Sequence, residues 1–232
     1  MDDTRTKEEW ADWAHCVVNG MGILNSWQWP DVDGLEDFQG PRMHSASWDH
    51  SVHFRRKVVS VTGTGSMTVQ IVPELQKICK QVQVYMRSPT WIRLPSVLPH
   101  SRKTYSMARK PTLEPSIHVY RRGQEEVHGR SRGSGLSNSF RQTITDEMAR
   151  RMGPGHEELK SFIVSKFAPG CRRISPGDGY LEALVQRNVQ PIFGEIKMAT
   201  KKGLVTANGV EHEMNILVCA IGFNVAFKPP SR

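Results

Sequence analysis

Residues 57–86 read KVVSVTGTGSMTVQIVPELQKICKQVQVYM, and three kinds of segment follow one another in them. Lys57 to Val61 is a β-branched run, stiff at χ1 and suited to a buried strand. Gly63, Thr64, Gly65 and Ser66 form a tight glycine turn, after which Val69, Val72, Leu75 and Ile78 recur at helical spacing between Met67 and Lys80. Val82 to Met86 is a second strand. Strand, glycine turn, helix and strand make a βαβ unit of Rossmann type, and the fold class is therefore α/β. Pro73 falls early in the helix and is expected to bend its first turns without ending it.

The turn carries the chemistry of a phosphate site. Gly63 permits the turn, Gly65 lets a diphosphate approach the backbone, and Thr64, Ser66 and the helix N-terminus supply donors and a favourable dipole. The third position of G-x-G-x-x-G, usually Gly or Ala for close helix packing, is Thr68. At the end of the second strand, where an acidic residue would hold the ribose of NAD, stand Arg87 and Ser88. An arginine offers a bidentate fork to a 2′-phosphate, so charge selects NADP. The plainer alternative is a surface arginine that closes a strand.

Upstream, Phe38, Gly40, His44, Trp48 and Asp49 are spaced Phe-x-Gly-x3-His-x3-Trp-Asp. This run resembles the fingerprint of Baeyer-Villiger monooxygenases, members of the flavin-containing monooxygenase superfamily, and the N-oxidising members lack its final Trp-Asp. The resemblance implies FAD and NADP as cofactors and a small-molecule ketone, oxidised by O2 to an ester or lactone at the expense of NADPH. It also implies an organisation: 1–56 as a remnant of the FAD-binding domain with the fingerprint, 57–92 as the NADP-binding βαβ unit, 136–170 as helices of the NADP domain, and 171–232 as the return to the FAD domain. Pro169 to Asp178 resembles a loop that passes close to flavin and nicotinamide in these enzymes. There Arg172 corresponds to a second cation for the 2′-phosphate. Arg173 corresponds to the arginine that stabilises negative charge developing at the flavin. His44 corresponds to a residue that times domain movement and hydride transfer. Near the end, Ala220, Ile221, Gly222 and Phe223 stand where relatives carry Ala-Thr-Gly-Phe, with Ala220 and Gly222 as cofactor neighbours, and Asn215 replaces a usual Asp. The run Gly170 to Arg173 together with Pro176 to Leu184 resembles fungal enzymes of secondary metabolism most. A first G-x-G-x-x-G for the FAD diphosphate, and a substrate-side region after Arg232, belong to the family pattern and are expected outside these residues.

Between Arg93 and Gly135, nine Arg and Lys face three Glu, which accounts for +6 of the net +8. The basic charge therefore belongs to one segment, rich in Arg, Ser, Pro and His and without periodicity, and it is expected to be disordered. Three origins fit it: a polyanion-binding segment, a solvated insertion, or altered splicing or reading frame. The last is favoured because the family resemblance stops at Trp91 and resumes near Leu136. With the rest of the chain nearly neutral, a nucleic-acid partner is disfavoured.

The remaining signals exclude other chemistries. Gly20, Met21 and Gly22 imitate a phosphate loop, but Trp27 to Pro30 and then Asp31 to Gly34 follow where a helix would have to open. His15 to Val18, at the end of Glu8 to Val18, is expected as a short buried strand. Cys16, Cys79, Cys171 and Cys219 are scattered and read as reduced, half-buried thiols. His44, His50 and His53 share one loop with a single nearby carboxylate, Asp49, and no thiol, which gives no metal site. No segment is apolar enough for a membrane span and the start is acidic and polar, so a cytoplasmic setting is the default. Helices are expected over Thr145 to Met152 and His156 to Lys166, strands over Gln190 to Phe193, at Leu204 and Val205, and over Met214 to Ile221, with a hairpin at Asn208 and Gly209.

Overall fold

The computed structural model of the chain describes residues 6, 11, 13–16, 18, 22, 24, 26–92, 135–169, 171 and 174–224. They fall into two compact units, Trp29–Gly222 and a smaller one made of Met1–Gln28 with Phe223–Arg232. No helix among the described residues is long and apolar enough to cross a membrane.

In the larger unit β1 (Arg42–His44), β2 (Val58–Thr62), β3 (Gln81–Met86), β4 (Val189–Phe193) and β8 (Ile216–Cys219) form one parallel sheet in the order β1-β8-β2-β3-β4. The predicted unit is present as β2, α1 (Ser66–Ile78) and β3, and Pro73 lies inside α1 without ending it. Side chains alternate across the sheet with the period of a strand. Val82, Val84 and Met86 of β3, with Ile216 and Val218 of β8, join the main core beneath α1. Tyr85, Leu217 and Cys219 point to the other face and join a second core. That face is covered by a small antiparallel sheet, β5 (Ile196–Ala199), β6 (Gly203–Thr206) and β7 (Glu211–Glu213). A buried polar pair in the sheet is satisfied: the Ser60 hydroxyl donates to Gln83 Oε1 at 2.7 Å, and Gln83 Nε2 donates to the Glu213 carbonyl at 3.1 Å. β1, β4 and β8, from the stretches 1–56 and 171–232, thus share their sheet with the 57–92 unit.

Three helices complete the main core: α2 (Gly135–Met152), α3 (Glu157–Ile163) and α4 (Tyr180–Leu184). The first exceeds the predicted Thr145 to Met152 by ten residues, beginning in what was expected to be disordered. Among its described side chains Ile144, Met148 and Met152 are buried, a stripe with every fourth residue against the core. α3 stops at Ile163, short of the predicted Lys166. Its C-cap Val164 is extended, and Arg141 Nη2 donates to the Ser165 carbonyl at 3.1 Å, tying down the departing chain.

The strand expected at His15 to Val18 does not form at its described positions. His15, Cys16 and Val18 are exposed and outside any strand, with Val18 90% exposed, so these residues bury no apolar surface that would favour extended pairing. The cysteines also depart from the expectation of half-burial: Cys79 and Cys219 are buried, Cys16 and Cys171 exposed, all four with free thiols. The basic stretch 93–134 and the decoy residues Gly20 and Met21 lie outside the described residues.

Candidate nucleotide site

At the switch point of the sheet, β2 has β8 on one side and β3 on the other. In open α/β sheets ligands bind in such a crevice, beyond the carboxyl ends of the strands. The glycine turn lies there. Gly63 has φ +117, and a Cβ on it would sit 2.5 Å from the Ala220 carbonyl oxygen. Its amide donates to the Tyr85 carbonyl at 3.1 Å, while the Ala220 amide donates to the Thr62 carbonyl at 2.9 Å, which stitches the exits of β3, β2 and β8 together. Gly65 differs: it is exposed, its backbone is ordinary at φ −82, and a Cβ there would enter open space. No side chain caps α1, and its first amides, from Ser66 onward, face this space. An uncapped, 13-residue helix opened by a glycine that leaves room above it fits the diphosphate of a dinucleotide. Thr64 is half-buried within the turn. Thr68 is fully buried, with its hydroxyl unpartnered, at the place that usually takes Gly or Ala.

Arg87 is exposed and Ser88 half-buried immediately after β3, in the adjoining strand exit. On the other flank His44 ends β1, in register with Cys219 of β8. It is completely buried, and its Nδ1 accepts from the Ala46 amide at 3.1 Å. Burial holds its pKa below the ordinary imidazole value, and a hydrogen bond with the Gly222 backbone opposes this more weakly, so His44 is neutral at pH 7. Gly222, at φ +92, has open space where a Cβ would lie. Gly63, Thr64, Gly65, Ser66, Arg87, Ser88, His44, Ala220 and Gly222 therefore converge at the exits of four neighbouring strands. Arg172 and Arg173 lie outside the described residues.

The fingerprint has physical reasons of its own. A Cβ on Gly40 would collide with the Asn215 carbonyl oxygen and lie 2.5 Å from Phe38 Cζ, so only glycine lets that chain pass the buried ring. Trp48 stacks on Phe54 with centroids 5.4 Å apart. Asp49 Oδ1 accepts from the Ser51 amide at 2.8 Å and its hydroxyl at 2.6 Å, and these bonds lower its pKa. Asn215 Oδ1 accepts from the Val58 amide at 2.9 Å, so the replacement of Asp by Asn keeps the acceptor.

Two further residues bear on the site: Ser175, within the Pro169 to Asp178 loop but not singled out by the sequence, and Arg151, which has no sequence signal. Ser175, 4% exposed, has its hydroxyl 3.4 Å from that of Ser66 and donates its amide to the Trp91 carbonyl at 2.9 Å. Arg151, at the end of α2, forms a fork with Glu182 of α4 at 2.7 and 2.8 Å, and this pair lowers the Glu182 pKa. Their partners lie 109 and 31 residues away, beyond any local pattern. A shallow groove of about 210 Å³ between α1 and α4, lined by Glu74, Lys77, Asp178 and Gln186, is remote from the glycine turn. Burial pushes the Cys79 and Cys219 thiols up to about 11, which leaves neither as a nucleophile near neutrality. Among the described residues no three His, Cys, Asp or Glu gather as a metal would require.

Residues 2–102 match the flavin-binding monooxygenase-like family. FAD-binding monooxygenase tazF of Aspergillus terreus is 33% identical over 228 residues, 92% of this chain and 40% of its own length. A Baeyer-Villiger monooxygenase of Pseudomonas aeruginosa is 30% identical over 217 residues, 90% of this chain and 40% of its own. The crystal structure of cyclohexanone monooxygenase from Rhodococcus sp. Phi1 bound to NADP+ superposes with a TM-score of 0.69 at 20% identity, over 87% of this chain and 45% of that one, a likeness of fold. This chain thus spans about 40% of the length of these curated relatives. A family model over residues 2–102, relatives aligned over nine-tenths of the chain and a likeness of fold make this chain similar to flavin-binding monooxygenase-like proteins along most of its length.

Proposed function

We propose that this chain carries the NADPH-binding part of a flavin-dependent monooxygenase of Baeyer-Villiger type, which oxidises a ketone to an ester or lactone with NADPH and O2 in fungal secondary metabolism. The observation that carries the reading is the open, uncapped glycine turn at the switch point, with Arg87 at the adjoining strand exit. In this reading the amides of Gly65 and Ser66 hold the diphosphate, Thr64 lines the turn, and Arg87 with Ser88 takes the 2′-phosphate, joined by Arg172. Ala220 and Gly222 line the crevice from β8. His44, through its hydrogen bond with the Gly222 backbone, ties the end of β1 to the chain that follows β8. Arg173 offers a permanent positive charge where negative charge develops. FAD, when bound, supplies the redox chemistry with O2. Among the described residues there is one glycine turn between a parallel strand and a helix, and in this reading it serves NADPH.

The test is the visible spectrum of the purified chain after incubation with FAD and gel filtration, followed by NADPH under air. Retained flavin absorbance that bleaches with NADPH would show that these residues hold flavin as well as NADPH and would support the oxygenase reading. NADPH binding without any retained flavin would instead favour a second reading, a nucleotide-binding module with no oxygenase activity of its own, to which the single diphosphate turn among the described residues also points.

A further inference from the structure

Arg151 is buried to a degree that a surface brace between helices does not need. Its side chain is 5% exposed, and besides the fork to Glu182 its Nη2 donates to the Gly177 carbonyl at 2.7 Å. So buried a guanidinium must have its donors filled, and the third bond goes to the loop 174–179 and not to a helix. The loop is fitted tightly: a Cβ on Gly177 would lie 2.8 Å from both Ile92 Cγ2 and Val69 Cγ1. Ser175 in the same loop bonds the Trp91 carbonyl and approaches the hydroxyl of Ser66, the first residue of α1. From α2 to the glycine turn there is thus one continuous chain of polar and packed contacts.

We infer that Arg151 is a positioning residue for the nucleotide site: it fixes the loop 174–179 so that Ser175 sets Ser66 at the phosphate-facing end of α1. This rests on the glycine turn being an NADPH site. The planar fork is what allows it, because one guanidinium reaches a carboxylate with two nitrogens and a carbonyl as well, whereas an ammonium holds them only one point at a time.

The full chain is compared as wild type, Arg151→Met, Arg151→Lys and Met148→Ala, the last a truncation of a buried core side chain in the same helix that removes none of the polar bonds above. NADPH affinity is read by calorimetry and the order of the loop by hydrogen exchange at the Ser175 amide. Arg151→Met is expected to speed that exchange and weaken NADPH about tenfold, with Arg151→Lys close to it, while Met148→Ala lowers the melting temperature yet binds within about twofold of wild type. NADPH affinity unchanged in Arg151→Met despite faster Ser175 exchange would overturn the inference alone. An equal loss of affinity in Met148→Ala would also overturn it, since stability and not position would then govern binding. A wild-type chain that binds no NADPH, with Ser175 exchange still answering to Arg151→Met, would mark the nucleotide reading as the failure, and the inference would fall with it.

Discussion

A methyl group added at Gly63 meets the Ala220 carbonyl from a backbone at φ +117, whereas one added at Gly65 meets nothing. The two glycines therefore separate stability from binding. Gly63→Ala is expected to lower stability by about 1–3 kcal/mol, from strained backbone and the collision together, read as a reduced urea midpoint. Gly65→Ala should leave the midpoint unchanged or slightly raised, because its φ is compatible with alanine, and should weaken NADPH by filling the space the diphosphate needs. His44 gives a pH signature. Its folded-state pKa lies below the unfolded value of about 6.5, so below that pH the unfolded chain binds the proton better and stability falls as pH drops. Urea midpoints at pH 8 and pH 5.5 should differ in the wild type and differ less in His44→Gln; an unaltered difference would assign the acid sensitivity elsewhere.

Among the elements, β2, α1 and β3 were legible because their residues sort by type: β-branched strands, glycines between, an apolar stripe at helical spacing. α2 was half missed because the residues buried among its described side chains, Ile144, Met148 and Met152, stand within a polar sequence that starts beside the basic stretch. The strand expected at His15 to Val18 does not form at its described positions for the converse reason: an apolar pattern sets a strand only where a face is buried, and His15, Cys16 and Val18 are exposed. The site divides in the same way. Glycines, Arg87 and His44 announce themselves through local spacing, while Ser175 and Arg151 depend on partners that only the fold brings near. Asn215 shows how one side chain joins elements, since its Oδ1 accepts the Val58 amide at the entrance of β2. Asn215→Asp retains that acceptor and should shift stability by less than about 0.5 kcal/mol. Asn215→Leu strands a backbone donor and should cost about 1–3 kcal/mol, measured by chemical denaturation.

At the scale of the whole molecule, segments distant in sequence supply one parallel sheet, and that sheet places four strand exits side by side. The arrangement explains why a fingerprint around residues 38–49 and a turn around residues 62–66 belong to one device: β8 lies between their strands and touches both, through Cys219 beside His44 and Ala220 against Gly63. The chain covers about 40% of its curated relatives, and the proposed nucleotide turn with Arg87 lies within the described residues. The most direct test of the account is calorimetric titration of the full chain and of Arg87→Ala with NADPH and with NADH. A charge-assisted contact to the 2′-phosphate predicts that the wild type prefers NADPH by about tenfold or more and that Arg87→Ala loses the preference while still binding NADH. Equal affinity for the two nucleotides in the wild type, or a preference that survives Arg87→Ala, would contradict it.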